Sequence, residues 1–113
     1  MIIEKDITDQ YFCVNIHSSL LPQYRGASPI HTALLNGDQI TGITLIKMNA
    51  GMDEGDILFQ VELPIDPIDN LGSLTEKLSR LGATVMLDFI NDCFLTNKIP
   101  LTPQNNDLAS YTK

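Results

Sequence analysis

Asn15 and His17 stand two residues apart, at the end of the apolar run Tyr11-Phe12-Cys13-Val14. In an extended strand residues i and i+2 project from one face, so an amide and an imidazole would sit side by side. They would do so at the carboxyl end of a buried strand, where open α/β sheets collect their ligands. An amide N–H can donate to an oxygen on which negative charge develops, and an imidazole can give or take a proton near neutral pH. A carboxylate beside the ring would fix its tautomer, and the loop Gly51-Met52-Asp53-Glu54-Gly55-Asp56 offers candidates. The set reads as an Asn/His/Asp acyl-transfer site. Each part also has a plainer reading. His17 can be a hydrogen-bonded turn residue, Asn15 a loop cap, and the acidic loop a solvated turn.

Other chemistries find less support. The acidic residues do not alternate around a sixth-position Gly, as a calcium loop requires. His31 falls on a short surface helix, at no metal-ligand spacing from His17, and neither G-x-G-x-x-G nor a P-loop occurs. No metal is expected. Cys13 lies in an apolar run and Cys93 on an apolar helix face, which predicts two buried thiols rather than a disulfide.

The elements that must position these residues form an α/β pattern. Tyr11–Ile16 is apolar and rich in β-branched or aromatic residues, which predicts a short buried strand. His17–Ala27 is a loop punctuated by Pro22 and Gly26. Ser28 as N-cap and Pro29 at the first helical position open a helix to about Leu35, stopped by Asn36-Gly37. Gly42–Met48 and Asp56–Leu63 are two further strands, joined by a loop short enough for antiparallel pairing. Ile43 and Leu45 would share one face, Thr44, Ile46 and Met48 the other. Ser73-Leu74-Thr75-Glu76 fits a capping box. The helix it opens carries Leu74, Leu78, Leu81, Val85, Phe89 and Cys93 at steps of three or four, with Gly82 as a possible break. Asn105–Lys113 reads as a loop or as the start of a further element. Three strands and two or three helices make part of an open sheet.

A chain of 113 residues is one domain, able to bury roughly 60–70% of its unfolded surface. Its 43% apolar and 19% charged residues are those of a globular protein rather than a disordered one. The absence of an apolar run of about 20 residues and of a basic leader predicts a cytoplasmic protein with no membrane contact. The net charge of −7, with seven Lys and Arg in no stripe, predicts weak nucleic-acid binding by this chain alone.

The stretch from Asn15 to Ile30, NIHSSLLPQYRGASPI, resembles the signature of the folate-dependent formyltransferases. Met48 to Leu58, MNAGMDEGDIL, is similar to that family's second signature. The resemblance continues through Leu74–Gly82 and Tyr111–Lys113, so it covers nearly the whole chain from Phe12. It implies a partial, open Rossmann-like formyltransferase sheet, with residues 1–113 as the carboxyl-side part of a catalytic domain. It further implies transfer of a formyl group from 10-formyltetrahydrofolate, the cosubstrate, to an amine. Carried over motif by motif, the catalytic residues are Asn15, His17 and Asp53. Asn15 would donate to the formyl oxygen, His17 would carry protons between the amine and the folate nitrogen, and Asp53 would orient His17. Ser19, Leu20, Leu21 and Pro22 resemble the stretch that lines the folate site. Arg25-Gly26-Ala27-Ser28-Pro29-Ile30 and Gly51–Asp56 look most like the branch that acts on methionyl-initiator tRNA. Other branches take sugar nucleotides, glycinamide ribonucleotide or a folate to be oxidised.

Against that family pattern, only about eleven residues precede the Asn-x-His strand. The nucleotide-binding-type half and the tRNA-binding carboxyl-terminal domain are expected to be missing. A split or incomplete enzyme follows, needing a complementing amino-terminal partner or self-association. The alternatives are a non-catalytic binding or assembly module that works through exposed strand edges, and a formyltransferase for another amine.

Overall fold

The computed structural model of the chain describes residues 12–112. The elements run β1 (Val14–His17), α1 (Pro29–Leu35), β2 (Ile40–Lys47), β3 (Ile57–Pro64), α2 (Leu71–Thr96) and a 3₁₀ turn (Asn106–Leu108). The sheet is open and three-stranded in the order β1-β2-β3, with both pairs antiparallel. His17 lies opposite Thr44 and Val14 opposite Lys47, while Ile43 of β2 faces Val61 of β3. The α/β class is as expected. The expected first strand from Tyr11 starts instead at Val14 and runs one residue further, through His17; Tyr11 and the residues before it lie outside the described residues.

The central strand explains the arrangement. Residues 41–46 are all buried, so β2 is covered on both faces rather than one. One cover is α2, whose Leu74, Leu78, Val85 and Phe89 pack with Ile43, Leu45 and Leu58 into the core. Each such side chain contributes about 1.5–3 kcal/mol by leaving water. The other cover is the loop after β1. There Thr44 Oγ1 donates to the Ser19 carbonyl at 2.6 Å and accepts from the Leu21 amide at 3.1 Å and Gln60 Nε2 at 2.9 Å. A buried hydroxyl is tolerated because it is fully bonded.

The long helix begins three residues earlier than the Ser73 capping box predicts. Asn70 is the N-cap: its side chain accepts from the Ser73 amide at 2.9 Å, and Ser73 Oγ accepts from the Asn70 amide at 3.0 Å. Ser73 is therefore the third helical residue of the box rather than its cap. Gly82 does not break the helix. A Cβ there would lie 3.2 Å from Ile16 Cγ2, so the glycine lets α2 come close to β1. Cys13 and Cys93 are free and half-buried rather than fully buried. His31 is exposed.

The last segment is more than a trailing loop. Thr102 and Ile57 exchange two backbone hydrogen bonds (2.7 and 2.9 Å) at the edge of β3. Further on, Arg25 N donates to the Ser110 carbonyl (2.8 Å), Ser110 N to the Pro22 carbonyl (3.1 Å) and Thr112 N to the Arg25 carbonyl (2.8 Å). The segment thus clasps the loop that follows β1. No helix among the described residues is long and apolar enough to cross a membrane.

Candidate active site

Val14 packs into the core and Ile16 lies against α2 at Gly82, which turns Asn15 and His17 to the opposite face of β1. Asn15 is half-buried, and its side chain makes no hydrogen bond to any described residue. His17 is 6% exposed. Its Nε2 is 2.8 Å from the Tyr24 carbonyl oxygen. A carbonyl can only accept, so Nε2 carries the hydrogen of that bond. On the other side of the ring, Nδ1 is 3.5 Å from Asp53 Oδ1. That separation is beyond a well-formed hydrogen bond, yet close for an acid and an imidazole shielded from water.

Asp53 is 5% exposed and reaches the ring from the loop between β2 and β3. Its backbone is left-handed, with φ 55°, a conformation that Asp adopts more readily than most residues. Its second oxygen, Oδ2, accepts from the Gly26 amide at 2.8 Å. Gly26 has φ 115°, where a side chain is strained, and a Cβ there would collide with Thr112 Oγ1. Glycine is what allows the amide to face the carboxylate.

Tyr24, which receives His17, is itself held. Its phenol donates to Asp38 Oδ2 at 2.5 Å and accepts from Asn36 Nδ2 at 3.0 Å. The bond to Asp38 raises the phenol pKa above its ordinary value; the Asn36 donor works against that rise, and burial adds to it. Beneath the same loop Arg25 is 2% exposed. No carboxylate pairs with it among the described residues. Its guanidinium donates to Gln104 Oε1, Asn106 Oδ1 and Tyr111 OH and lies 5.8 Å over the Tyr111 ring.

In the expected folate stretch, Ser19 and Leu21 are buried and Leu20 and Pro22 half-buried. Ser19 Oγ donates to the Gln23 carbonyl at 2.6 Å, and the Leu21 carbonyl accepts from Gln60 Nε2 at 2.9 Å. Glu54 is exposed and Asp56 half-buried. No group of three His, Cys, Asp or Glu among the described residues could hold a metal ion. Two cavities, of about 930 and 380 Å³, flank α2; neither is lined by His17 or by residues 19–22. Of the three residues expected to react, the structure brings His17 and Asp53 together and sets Asn15 on the strand face of His17. Sequence reasoning passed over Tyr24, Arg25, Gly26 and Gln104 as contributors to the site. The signal for Gly26 was its glycine; nothing local marked Gln104.

With this geometry in view, the comparison with known proteins decides the family. A family model described as formyl transferase matches residues 2–90. The chain belongs to the formyl transferase family. Methionyl-tRNA formyltransferase of Ehrlichia ruminantium (strain Gardel) is 48% identical over 114 residues, covering 99% of this chain and 37% of that protein. The chain therefore spans little more than a third of the length of that curated relative. Among solved structures, the formyltransferase PseJ from Anoxybacillus kamchatkensis is a complex with UDP-4,6-dideoxy-4-formamido-L-AltNAc and tetrahydrofolate. It superposes with a TM-score of 0.87 at 28% identity, over 100% of this chain and 59% of that one. Methionyl-tRNA formyltransferase from Clostridium thermocellum gives a TM-score of 0.75 at 26% identity, over 99% and 46%. Asn15, His17 and Asp53 lie inside the formyl transferase match, whereas Gln104 and its neighbours lie beyond it.

Proposed function

We propose that the chain carries the reacting centre of a cytoplasmic enzyme that moves a formyl group from 10-formyltetrahydrofolate to the amino group of methionyl-initiator tRNA. The observation that carries this reading is the approach of Asp53 to His17 at 3.5 Å, with both side chains closed to solvent. Asn15, on the same strand face, has an amide free to donate to the formyl oxygen as charge gathers there. The attacking group is the amine itself, so the chain need supply only that donor and a proton carrier. His17 is the carrier, and Asp53 holds the imidazole against the charge it gains. For the ring to reach substrate, its Nε2–H must exchange the Tyr24 carbonyl for the reacting nitrogen.

10-Formyltetrahydrofolate supplies the formyl group. Leu20 and Pro22, half-buried at the surface of the loop, offer apolar area that fits a flat heteroaromatic ring. Ser19 and Leu21 anchor that loop through Gln23, Thr44 and Gln60. The tRNA amine is preferred because the Ehrlichia relative, 48% identical, bears that name. A sugar amine is the second reading, favoured by the closer superposition on PseJ. With a net charge of −7, this chain contributes little to phosphate contacts.

The test incubates the chain with 10-formyltetrahydrofolate and either methionyl-initiator tRNA or a nucleotide-linked amino sugar. It is run alone and with the part of the Ehrlichia relative that the chain does not match. Formylmethionyl-tRNA in either arm, abolished by His17→Ala, is the expected result. Formylation of the sugar alone moves the assignment to the second reading. No transfer to either amine in any arm overturns both and leaves a binding or assembly module.

A further inference from the structure

The side chain of Gln104 spans two parts of the site that no strand or helix joins. Its Oε1 accepts from Arg25 Nε at 3.3 Å and Nη2 at 2.9 Å. Its Nε2 donates to the Asp53 carbonyl at 2.9 Å and the Gly55 carbonyl at 2.7 Å. The orientation of the amide follows from chemistry, because a guanidinium only donates and a carbonyl only accepts. Both hydrogens and the oxygen of the amide are therefore used, on the loop that carries Asp53 and on Arg25, the residue after the Tyr24 that bonds His17.

We infer that Gln104 is a positioning residue: it holds the Asp53 loop in its left-handed turn, so that the carboxylate faces His17 and Gly26. Its value for catalysis rests on the formyl-transfer reading, but the positioning itself does not. Asp53 has φ 55°, a conformation sparsely populated even by Asp, so contacts that favour it help to fix the turn. Two hydrogen bonds from one half-buried amide, on carbonyls either side of Glu54, do that. Arg25 in turn fixes the amide. It is buried at 2% exposure, carries a charge and finds its partners in Gln104, Asn106 and Tyr111, all from the final segment of the chain. The segment following α2 thus reaches back to set the acid of a site built from β1 and the β2–β3 loop. Asp53 gains a tether at each end, since its Oδ2 takes the Gly26 amide while its carbonyl takes Gln104.

Gln104→Glu separates positioning from folding. It keeps an acceptor for Arg25, now as an ion pair, but sets a carboxylate against two carbonyl oxygens that need donors. The experiment is nuclear magnetic resonance on the uniformly ¹⁵N-labelled chain at fixed pH, without substrate. It reads the two His17 ring nitrogens and the Gly26 amide, with Asp53→Ala as the reference for complete loss of the carboxylate. The expected result in Gln104→Glu is that His17 Nδ1 and the Gly26 amide move towards their Asp53→Ala positions. Nε2, bonded to Tyr24, stays at its wild-type position. Gly26 amide exchange quickens by about tenfold or more, the change that the loss of one hydrogen bond of ordinary strength gives. Gln104→Met, which fills the same space without donors, gives the same pattern and serves if the Glu variant does not fold. Wild-type signals at Nδ1 and Gly26 in a folded Gln104 variant, while Asp53→Ala shifts them, overturn the inference. Because no transfer is measured, an inactive chain leaves this result intact.

Discussion

Oδ1 of Asp53 lies 3.5 Å from Nδ1 of His17, while its Oδ2 takes the amide of Gly26 at 2.8 Å. One carboxylate therefore serves the ring and the loop behind it. Asp53→Asn retains an oxygen for Gly26 and tolerates the left-handed backbone, but removes the charge. The expected outcome is an unchanged near-ultraviolet circular dichroism spectrum. Turnover falls by about 10²–10⁴-fold, the usual contribution of acid–base groups, with little change in KM for the folate. A variant that keeps wild-type turnover would leave Asp53 with a purely structural task.

The core makes an independent demand. Leu78 is fully buried where α2 meets the sheet. Leu78→Ala should cost about 2–5 kcal/mol, from lost transfer energy and the cavity left behind. Against a total of about 5–15 kcal/mol for ordinary domains, the urea midpoint should drop sharply. An unmoved midpoint would mean that α2 does not pack on β2 as described.

At the start of α2, Lys77 Nζ is 2.8 Å from Asp69. That bond, followed by the one from Ser73, lowers the Asp69 pKa. A carboxyl depressed in the folded state adds stability above its unfolded value, and that stability is lost as pH falls through the folded value. Lys77→Met should shift the acid-unfolding midpoint to higher pH at low salt, measured by far-ultraviolet circular dichroism. An identical acid limb in the two proteins would show that the pair is open to water and inert.

Tyr24 behaves in the opposite sense. Its phenol pKa is raised, first by donation to Asp38, so its stabilising contribution is complete below about pH 10. It disappears as pH rises through the higher folded value. Asp38→Asn should bring the Tyr24 titration back towards the ordinary phenol range, followed by the ring ¹³C signals. Titration at the wild-type position would remove Asp38 as the cause.

The parts of this site that were legible before any coordinates were those with local signatures. A two-residue period puts Asn15 and His17 on one face, and the apolar steps of α2 mark its buried side at Leu74, Leu78, Val85 and Phe89. The helix start was misplaced because Asn70-x-x-Ser73 and Ser73-x-x-Glu76 both fit a cap; the Asn70 side chain wins by bonding the Ser73 amide. The double burial of β2 was hidden, since the loop that covers Thr44 has no periodicity. Gln104 and Arg25 were invisible for a related reason. They meet across most of the chain's length, and no spacing rule reports a contact between two polar residues in irregular segments. Within the loop Gly51–Asp56 only the motif resemblance singles out Asp53 from Glu54 and Asp56, since the loop is otherwise an ordinary acidic turn.

The most direct test of the reacting centre is formyl transfer by Asn15→Ala, in whichever arm of the assay shows turnover. The Asn15 side chain bonds no described residue, so the fold should hold with its melting temperature nearly unchanged. The account predicts that kcat falls by about 10²–10³-fold, roughly 2.7–4 kcal/mol, for the loss of one oxyanion donor, with KM unaltered. A kcat equal to that of the wild type would contradict it.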